Sequence, residues 1–274
     1  MKQIAVLLTC HNRKPKTLQC LSQLFQQEGS EQHFQLHVYL VDDGSTDGTS
    51  EAVKETFPRV HLIQGNGQLY WNRGMHLAWE MAARKVHDYY LWLNDDTMIF
   101  PNALLEMLDC AQASDNRAIV CGAIQSALTG DFTYGGKERS GKEVIPNGEL
   151  QACFSINGNC VLIPETIHTV VGKLDPIFPH AIGDYEYGLR AVKKGFGLVT
   201  TRRYIGNCER NAHLPKWCYQ EVPFALRMKA LYSPLGNAHP YYFFIYEKRH
   251  KGLPTAVFHF ITIHLRAFIP SLWK

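Results

Sequence analysis

Two adjacent carboxylates, Asp95 and Asp96, stand one residue, Asn94, beyond the apolar run Tyr89-Tyr90-Leu91-Trp92-Leu93. Unit charges about 4 Å apart repel by ~1 kcal/mol in water and by ~4 kcal/mol at an effective dielectric of 20. A fold tolerates such a pair best when a cation lies between it and an anionic ligand. Hard divalent ions such as Mg²⁺ take oxygen ligands and are shared with substrate phosphates. The competing reading is a solvated turn capping the next helix, since Asp and Asn are good caps. The surroundings of the pair decide between the two.

Three further clusters have chemical potential. Val41-Asp42-Asp43-Gly44-Ser45-Thr46-Asp47-Gly48 places carboxylates before a glycine that permits a tight turn and close ligand approach. A carboxylate there can accept the imide N–H of a uracil or thymine ring, or the segment is a turn with a Ser/Thr/Asp cap. Gly65-Asn66-Gly67-Gln68-Leu69-Tyr70-Trp71-Asn72-Arg73-Gly74 is a glycine-rich stretch opening a helix. Backbone amides in that setting favour anions, with Arg73 as an added charge and Trp71 as a stacking surface. It is neither G-x-G-x-x-G nor a Walker loop, so a glycine turn with a buried Trp competes. Gly183-Asp184-Tyr185-Glu186 puts two carboxylates in a first helical turn, one turn before Arg190. A helix N-terminus stabilises carboxylates. Desolvation or a neighbouring charge raises their pKa toward that of a general base. The alternative is a Glu186–Arg190 i,i+4 pair.

The elements that must position these groups follow from the apolar pattern. Strands are expected over 4–8, 36–41, 60–63, 89–93, from 118, over 158–163 and over 197–200. Helices are expected over 15–27, 49–57, 72–85, 102–113 and 184–194. Strand–helix alternation at this spacing implies a mostly parallel sheet covered on both faces. Ligands in such sheets bind beyond the carboxyl ends of the strands. The exits at Thr9-Cys10-His11-Asn12-Arg13, Asp42-Asp43 and Asn94-Asp95-Asp96 therefore share one rim. The region 122–158 is loops and short strands. After residue 211 the chain becomes aromatic and basic, with Lys248-Arg249-His250-Lys251 followed by an amphipathic stretch over 256–273.

Composition narrows the class. With 274 residues, 46% of them hydrophobic and 19% charged, the chain builds one large domain or one domain with an appendage. A net charge of +3 is too small to argue for nucleic acid. Eight cysteines without a C-x-x-C pair argue against a zinc ribbon or a thioredoxin-type site, and fit reduced core thiols in a cytosolic protein. The short apolar stretch at 4–8 is not a secretory signal, and no run of ~18 apolar residues spans a bilayer.

In this order, the Thr9–Arg13 opening, Asp42-Asp43-Gly44-Ser45, Asn72-Arg73-Gly74, Leu93-Asn94-Asp95-Asp96-Thr97 and Gly183-Asp184-Tyr185-Glu186 with Arg190 resemble the family 2 glycosyltransferases, nucleotide-sugar enzymes with the GT-A fold. The resemblance covers roughly residues 3–205. It implies a Rossmann-like α/β catalytic domain over 1–210, with a nucleotide-binding half (1–121) and an acceptor-side half (122–210). A helical aromatic and basic extension would follow over 211–274. Carried over by position, Thr9, His11, Arg13, Asp43, Gly67, Trp71, Asn72 and Asp95 would bind the nucleotide sugar, with Asp43 on the nucleobase and Asp95 on ribose or sugar. Asp96 would hold the divalent metal, Mg²⁺ or Mn²⁺, that bridges the diphosphate. Asp184 would deprotonate the acceptor hydroxyl with Glu186 in support. Gly183 stands where the family often has a first acid, so the base is Asp184 or Glu186. A His further on often completes the metal shell in this fold, and His213, shifted from the usual place, is the candidate here.

The resemblance implies inverting transfer from a UDP- or dTDP-sugar to a glycan hydroxyl, lipid-linked in surface-polysaccharide assembly (O-antigen, capsule or lipopolysaccharide). The expected setting is cytoplasmic. The apolar and basic residues of the tail suit peripheral contact with the inner membrane, or else a helix packed on the catalytic domain. Two other classes compete. A sugar-phosphate nucleotidyltransferase would carry an Arg/Lys-bearing glycine loop straight after the first strand, where His11-Asn12-Arg13 stands. A non-catalytic nucleotide-sugar-binding protein would keep the Asp43 rim and lack a base. A glycoside hydrolase, with two carboxylates about 5–9 Å apart, would need no nucleotide.

Overall fold

The computed structural model describes residues 1–210, 214–236 and 238–273. In chain order the elements are β1 (Lys2–Cys10), α1 (Lys14–Phe25), β2 (Phe34–Asp42), α2 (Thr49–Thr56), β3 (His61–Gln64), α3 (Tyr70–Ala82), β4 (Tyr89–Leu93), β5 (Met98–Ile99), α4 (Ala103–Ala113) and β6 (Ala118–Gln125). They continue with β7 (Phe132–Tyr134), β8 (Gln151–Ala152), β9 (Cys160–Pro164), α5 (Glu165–Val171), α6 (Gly183–Lys193), β10 (Gly197–Asn207), α7 (Phe224–Leu231), α8 (Pro240–His250) and α9 (Leu253–Phe268).

One sheet runs β3-β2-β1-β4-β9-β6-β10-β5, with β7 beside β6 and β8 beside β10. Both of its faces are covered, and the residues of β1 divide between them. Ile4, Val6 and Leu8 pack toward one apolar layer, whereas Ala5 and Leu7 pack toward the other. β4 divides in the same way, Leu91 and Leu93 against Tyr90 and Trp92. Period-2 alternation in a strand buried on both sides produces this split.

The expectation of a mostly parallel sheet holds for β3-β2-β1-β4, whose pairings are all parallel. The rest of the sheet is mixed. β9 enters antiparallel between β4 and β6, while β10 pairs parallel with β6 and antiparallel with β5 and β8. An apolar run such as Cys160-Val161-Leu162-Ile163 does not encode its own direction. The reversal has a consequence for the rim: Leu93 pairs with Cys160, so the start of β9 lies where β4 ends. β10 is longer than the expected 197–200 and reaches Asn207, whose pairing with Met98 returns it to the same rim.

The expected C-terminal tail is a helical hairpin, α8 and α9, following α7. Trp217, Cys218, Leu231, Ile263 and Ala267 form its own small apolar cluster. Glu247 is fully buried in it and is held by Lys251 at 3.0 Å and His259 at 2.8 Å. Among the described residues, no helix is long and apolar enough to cross a membrane.

Candidate active site

The β1–α1 and β2–α2 loops are locked together at the rim. The Asn12 amide donates to Ser45 Oγ at 2.9 Å, and the Thr46 amide donates to Asn12 Oδ1 at 2.7 Å. The Lys14 amide donates to Asp47 at 2.9 Å. His11 Nδ1 lies 2.7 Å from the Asp43 carbonyl oxygen, so two of the expected residues meet through backbone. Thr9 packs against Gly74, where a Cβ would come within 2.3 Å of its Oγ1.

The glycine-rich loop does bind an anion through its amides, but that anion is internal. Asp43, 4% exposed, accepts from Gly67 N at 2.8 Å and from Leu69 N and Tyr70 N at 2.9 Å each. Gly67 has φ +81°, which glycine adopts without strain. Arg73 is likewise not aimed at a ligand. Its Nε donates to the Pro176 carbonyl at 2.8 Å, bracing the segment before α6. Asn72, expected at the nucleotide, is fully buried. Its Nδ2 donates to the Asp175 and Phe178 carbonyls at 2.8 and 2.7 Å, making it a support of the same segment.

Arg13 spans the acid pair, 3.2 Å from Asp95 Oδ1 and 2.8 Å from Asp96 Oδ2. Thr17 Oγ1 donates to the other oxygen of Asp95 at 3.2 Å. Burial pushes the Asp95 carboxyl up to about 6, against the lowering pull of Arg13. Asp96 is the more open of the two, and the Cys208 thiol lies 3.9 Å from its Oδ1. The pair offers hard oxygen donors with solvent access at Asp96, which suits a divalent ion completing its shell with phosphate oxygens and water. His213, proposed for that shell, lies outside the described residues. Among the described residues, no three His, Cys, Asp or Glu side chains cluster as a ready-made metal cage.

Trp71 links the acid pair to the start of α6. Its Nε1 donates to Asn94 Oδ1 at 2.6 Å, and its ring packs where a Cβ on Gly158 would come within 2.6 Å. The Gly158 amide in turn donates to Asp184 Oδ2 at 2.9 Å, and the Tyr185 amide to Oδ1 at 2.9 Å. Asp184 is thus tied to Asn94, the neighbour of Asp95, through one glycine and one indole. Burial raises its carboxyl to about 6, against the lowering effect of those two amides. A carboxylate with its pKa near the working pH suits general-base work.

Glu186 faces elsewhere. It lies 3.1 Å from Arg190, 3.5 Å from Arg249 and 3.7 Å from His250, and its carboxyl stays below the usual range despite burial, through His250 and Arg190. It fastens α6 to α8. Gly183 is explained by packing: a Cβ there would fall 1.8 Å from Asn72 Oδ1, so no acidic side chain fits. Three non-glycine residues with positive φ border this rim, Asn12 (51°), Tyr70 (57°) and Ile182 (78°). Such residues cost about 1–3 kcal/mol each and gather at functional sites. Sequence reasoning missed Gly158 and Tyr246. The latter is an α8 residue whose phenol is pushed up to about 12, by burial first and then by the charges of Glu247, Asp184 and Glu186. Tyr246 lies 62 positions from Asp184, and no local pattern links them.

A Rossmann-like sheet with an acid pair at the exit of β4 and a carboxylate at the start of α6 defines the GT-A class of glycosyltransferase. The family model described as glycosyl transferase family 2 matches residues 5–168, more than half of the chain, and the chain belongs to that family. It is a glycosyltransferase enzyme of the nucleotide-sugar type. Among solved structures, the mannosyltransferase PcManGT from Pyrobaculum calidifontis, in complex with GDP-Man and Mn²⁺, is similar at TM-score 0.56 and 14% identity, covering 98% of this chain and 76% of that one. S. aureus TarS 1–349 is similar at TM-score 0.55 and 12% identity, covering 94% and 72%. Its complex with UDP-GlcNAc matches at TM-score 0.55 and 12% identity, covering 87% and 69%. At these identities the likeness is one of fold. No curated protein matches the chain.

Proposed function

We propose that the chain moves a sugar from a UDP- or dTDP-sugar to a hydroxyl of a glycan acceptor, with inversion at the anomeric carbon and Asp184 as the base. The acceptor we favour is lipid-linked, in cytoplasmic assembly of a surface polysaccharide. The observation that carries the reading is the continuous contact from buried Asp184 through Gly158 and Trp71 to Asn94, beside the Asp95–Asp96 pair. Asp184 takes the acceptor proton as the hydroxyl oxygen attacks the anomeric carbon. The bond to the diphosphate oxygen breaks, and its electron pair leaves with the nucleoside diphosphate. Asp96, with Asp95 beside it, is the place for Mg²⁺ or Mn²⁺, which when bound would offset charge on the departing diphosphate. Arg13 supplies a second cation at that place. Asp43 retains acceptor capacity beyond its three amides, because an ionised carboxylate has about four lone-pair sites. An imide N–H of uracil or thymine matches it. Thr9, His11, Gly67 and Trp71 shape the same rim.

The test is nucleoside-diphosphate release from UDP-, dTDP- and GDP-sugars, with and without Mn²⁺ or Mg²⁺. Release from UDP- or dTDP-sugars that requires metal and is lost in Asp184→Ala supports the reading. Full activity of both Asp184→Ala and Asp96→Ala would overturn it.

A further inference from the structure

α9 is apolar on two sides. Ala256, Ile263 and Ala267 face inward and are buried. On the far side Val257, Phe258, Ile261, Leu265 and Phe268 stand 43–60% exposed. Their spacing of three, four or one residues keeps all five on one outward stripe. Phe224 of α7 stacks on Phe268 with ring centroids 4.7 Å apart and widens the surface beyond the helix. A helix that is hydrophobic all round requires apolar surroundings on every side, and contiguous exposed patches of this kind mark protein or membrane contacts.

Charge selects between those two. From residue 222 to 273 the sequence holds one acid, Glu247, and it is fully buried. Lys229, Lys248 and Arg266 are exposed in the same segment, and Lys251, also exposed, neutralises Glu247. Two copies meeting through this segment would bring together two surfaces of the same net charge. An anionic lipid surface offers the opposite charge to the cations and hydrocarbon to the stripe, the combination by which interfacial helices bind without spanning.

We propose that the outer face of α9, widened by Phe224, docks on an anionic bilayer surface. α8, the hairpin partner of α9, is fastened to α6 by Arg249, 2.6 Å from Asp175 and 3.5 Å from Glu186. Docking therefore couples α6, which carries Asp184, to the membrane-bound hairpin. The inference rests on the hairpin surface and does not require the sugar-transfer reading.

The experiment is flotation of the full chain with vesicles of phosphatidylglycerol and phosphatidylcholine, and with phosphatidylcholine alone. We expect flotation with the anionic vesicles, weakening at high salt as lipid electrostatics is screened. The exposed substitutions Ile261→Asp and Leu265→Asp, made together, should lower the bound fraction about tenfold or more, since each removes a buried apolar side chain from the lipid boundary. Unchanged circular dichroism and thermal unfolding of that variant would show that the loss is not misfolding. Equal flotation of the variant and the unaltered chain overturns the proposal. So does absence of binding to anionic vesicles. A dimer in vesicle-free buffer that the double substitution dissociates also overturns it, because a second copy would then cover the stripe.

Discussion

Asp184 and Glu186 stand two residues apart on one helix, yet their surroundings give them opposite character. Desolvation raises Asp184 to about 6 with no cation beside it among the described residues, whereas Glu186 is held down by His250 and Arg190. For a base that must be ionised, transfer is full above that value and falls as pH drops through about 6. A pH profile of kcat/KM should show this acid limb. Asp184→Asn should lower turnover roughly 10²–10⁴-fold while leaving nucleotide affinity largely unchanged, as measured by titration calorimetry. Asp96→Ala should act the other way, weakening metal-dependent binding of a nucleoside diphosphate. Calorimetry with and without Mn²⁺ checks it. Asp96 and Asp184 stood out in the sequence as motif positions. The different surroundings of Asp184 and Glu186 were not legible there, because they depend on Arg249 and His250, more than 60 positions from Glu186.

At the scale of elements, the rim is built from supports whose chemistry is spent inside the protein. The loop from β3 to α3 looked like an anion cradle and is one, for Asp43. Removing a charged acceptor that satisfies several amides leaves donors unpaired, at about 1–3 kcal/mol each where burial persists. Asp43→Ala should therefore speed amide exchange at Gly67, Leu69 and Tyr70 before it alters the rest of the sheet. Hydrogen exchange by NMR reads this directly. The start of α6 is fitted equally closely to Asn72. Gly183→Ala should destabilise by about 1–3 kcal/mol through overpacking. Asn72→Ala in the same chain should recover part of that loss, a coupling that a double-mutant cycle of unfolding free energies measures. The period of apolar residues revealed α3 and α6 as helices. It could not reveal that Asn72 and Gly183 compete for one volume, since the two lie 111 positions apart.

Across the whole molecule, the hairpin α8–α9 is joined to α6 by charge. Arg249 reaches Asp175 and Glu186, and Lys193 donates to the Arg249 carbonyl at 2.6 Å. Glu186→Gln should loosen that joint. We expect faster hydrogen exchange and proteolysis in α8, while the acid limb set by Asp184 keeps its place near 6. A shift of the acid limb with no change in α8 would mean that Glu186 acts on the base itself.

By itself the sequence determined the strand–helix alternation, the common rim of β1, β2 and β4, and the positions of Asp95, Asp96 and Asp184. Period and punctuation are local properties, and parallel strands joined by helices must place their exits together. The tertiary structure alone decided the reversed direction of β9, which brings Gly158 to the rim, and the Trp71 bridge between the acid pair and Asp184. It also decided what each carboxylate meets: Asp43 and Glu186 are engaged by partners distant in sequence, and Asp184, among the described residues, by the amides of Gly158 and Tyr185. Those outcomes depend on which surfaces meet and how much water they exclude, and no window along the chain carries that information.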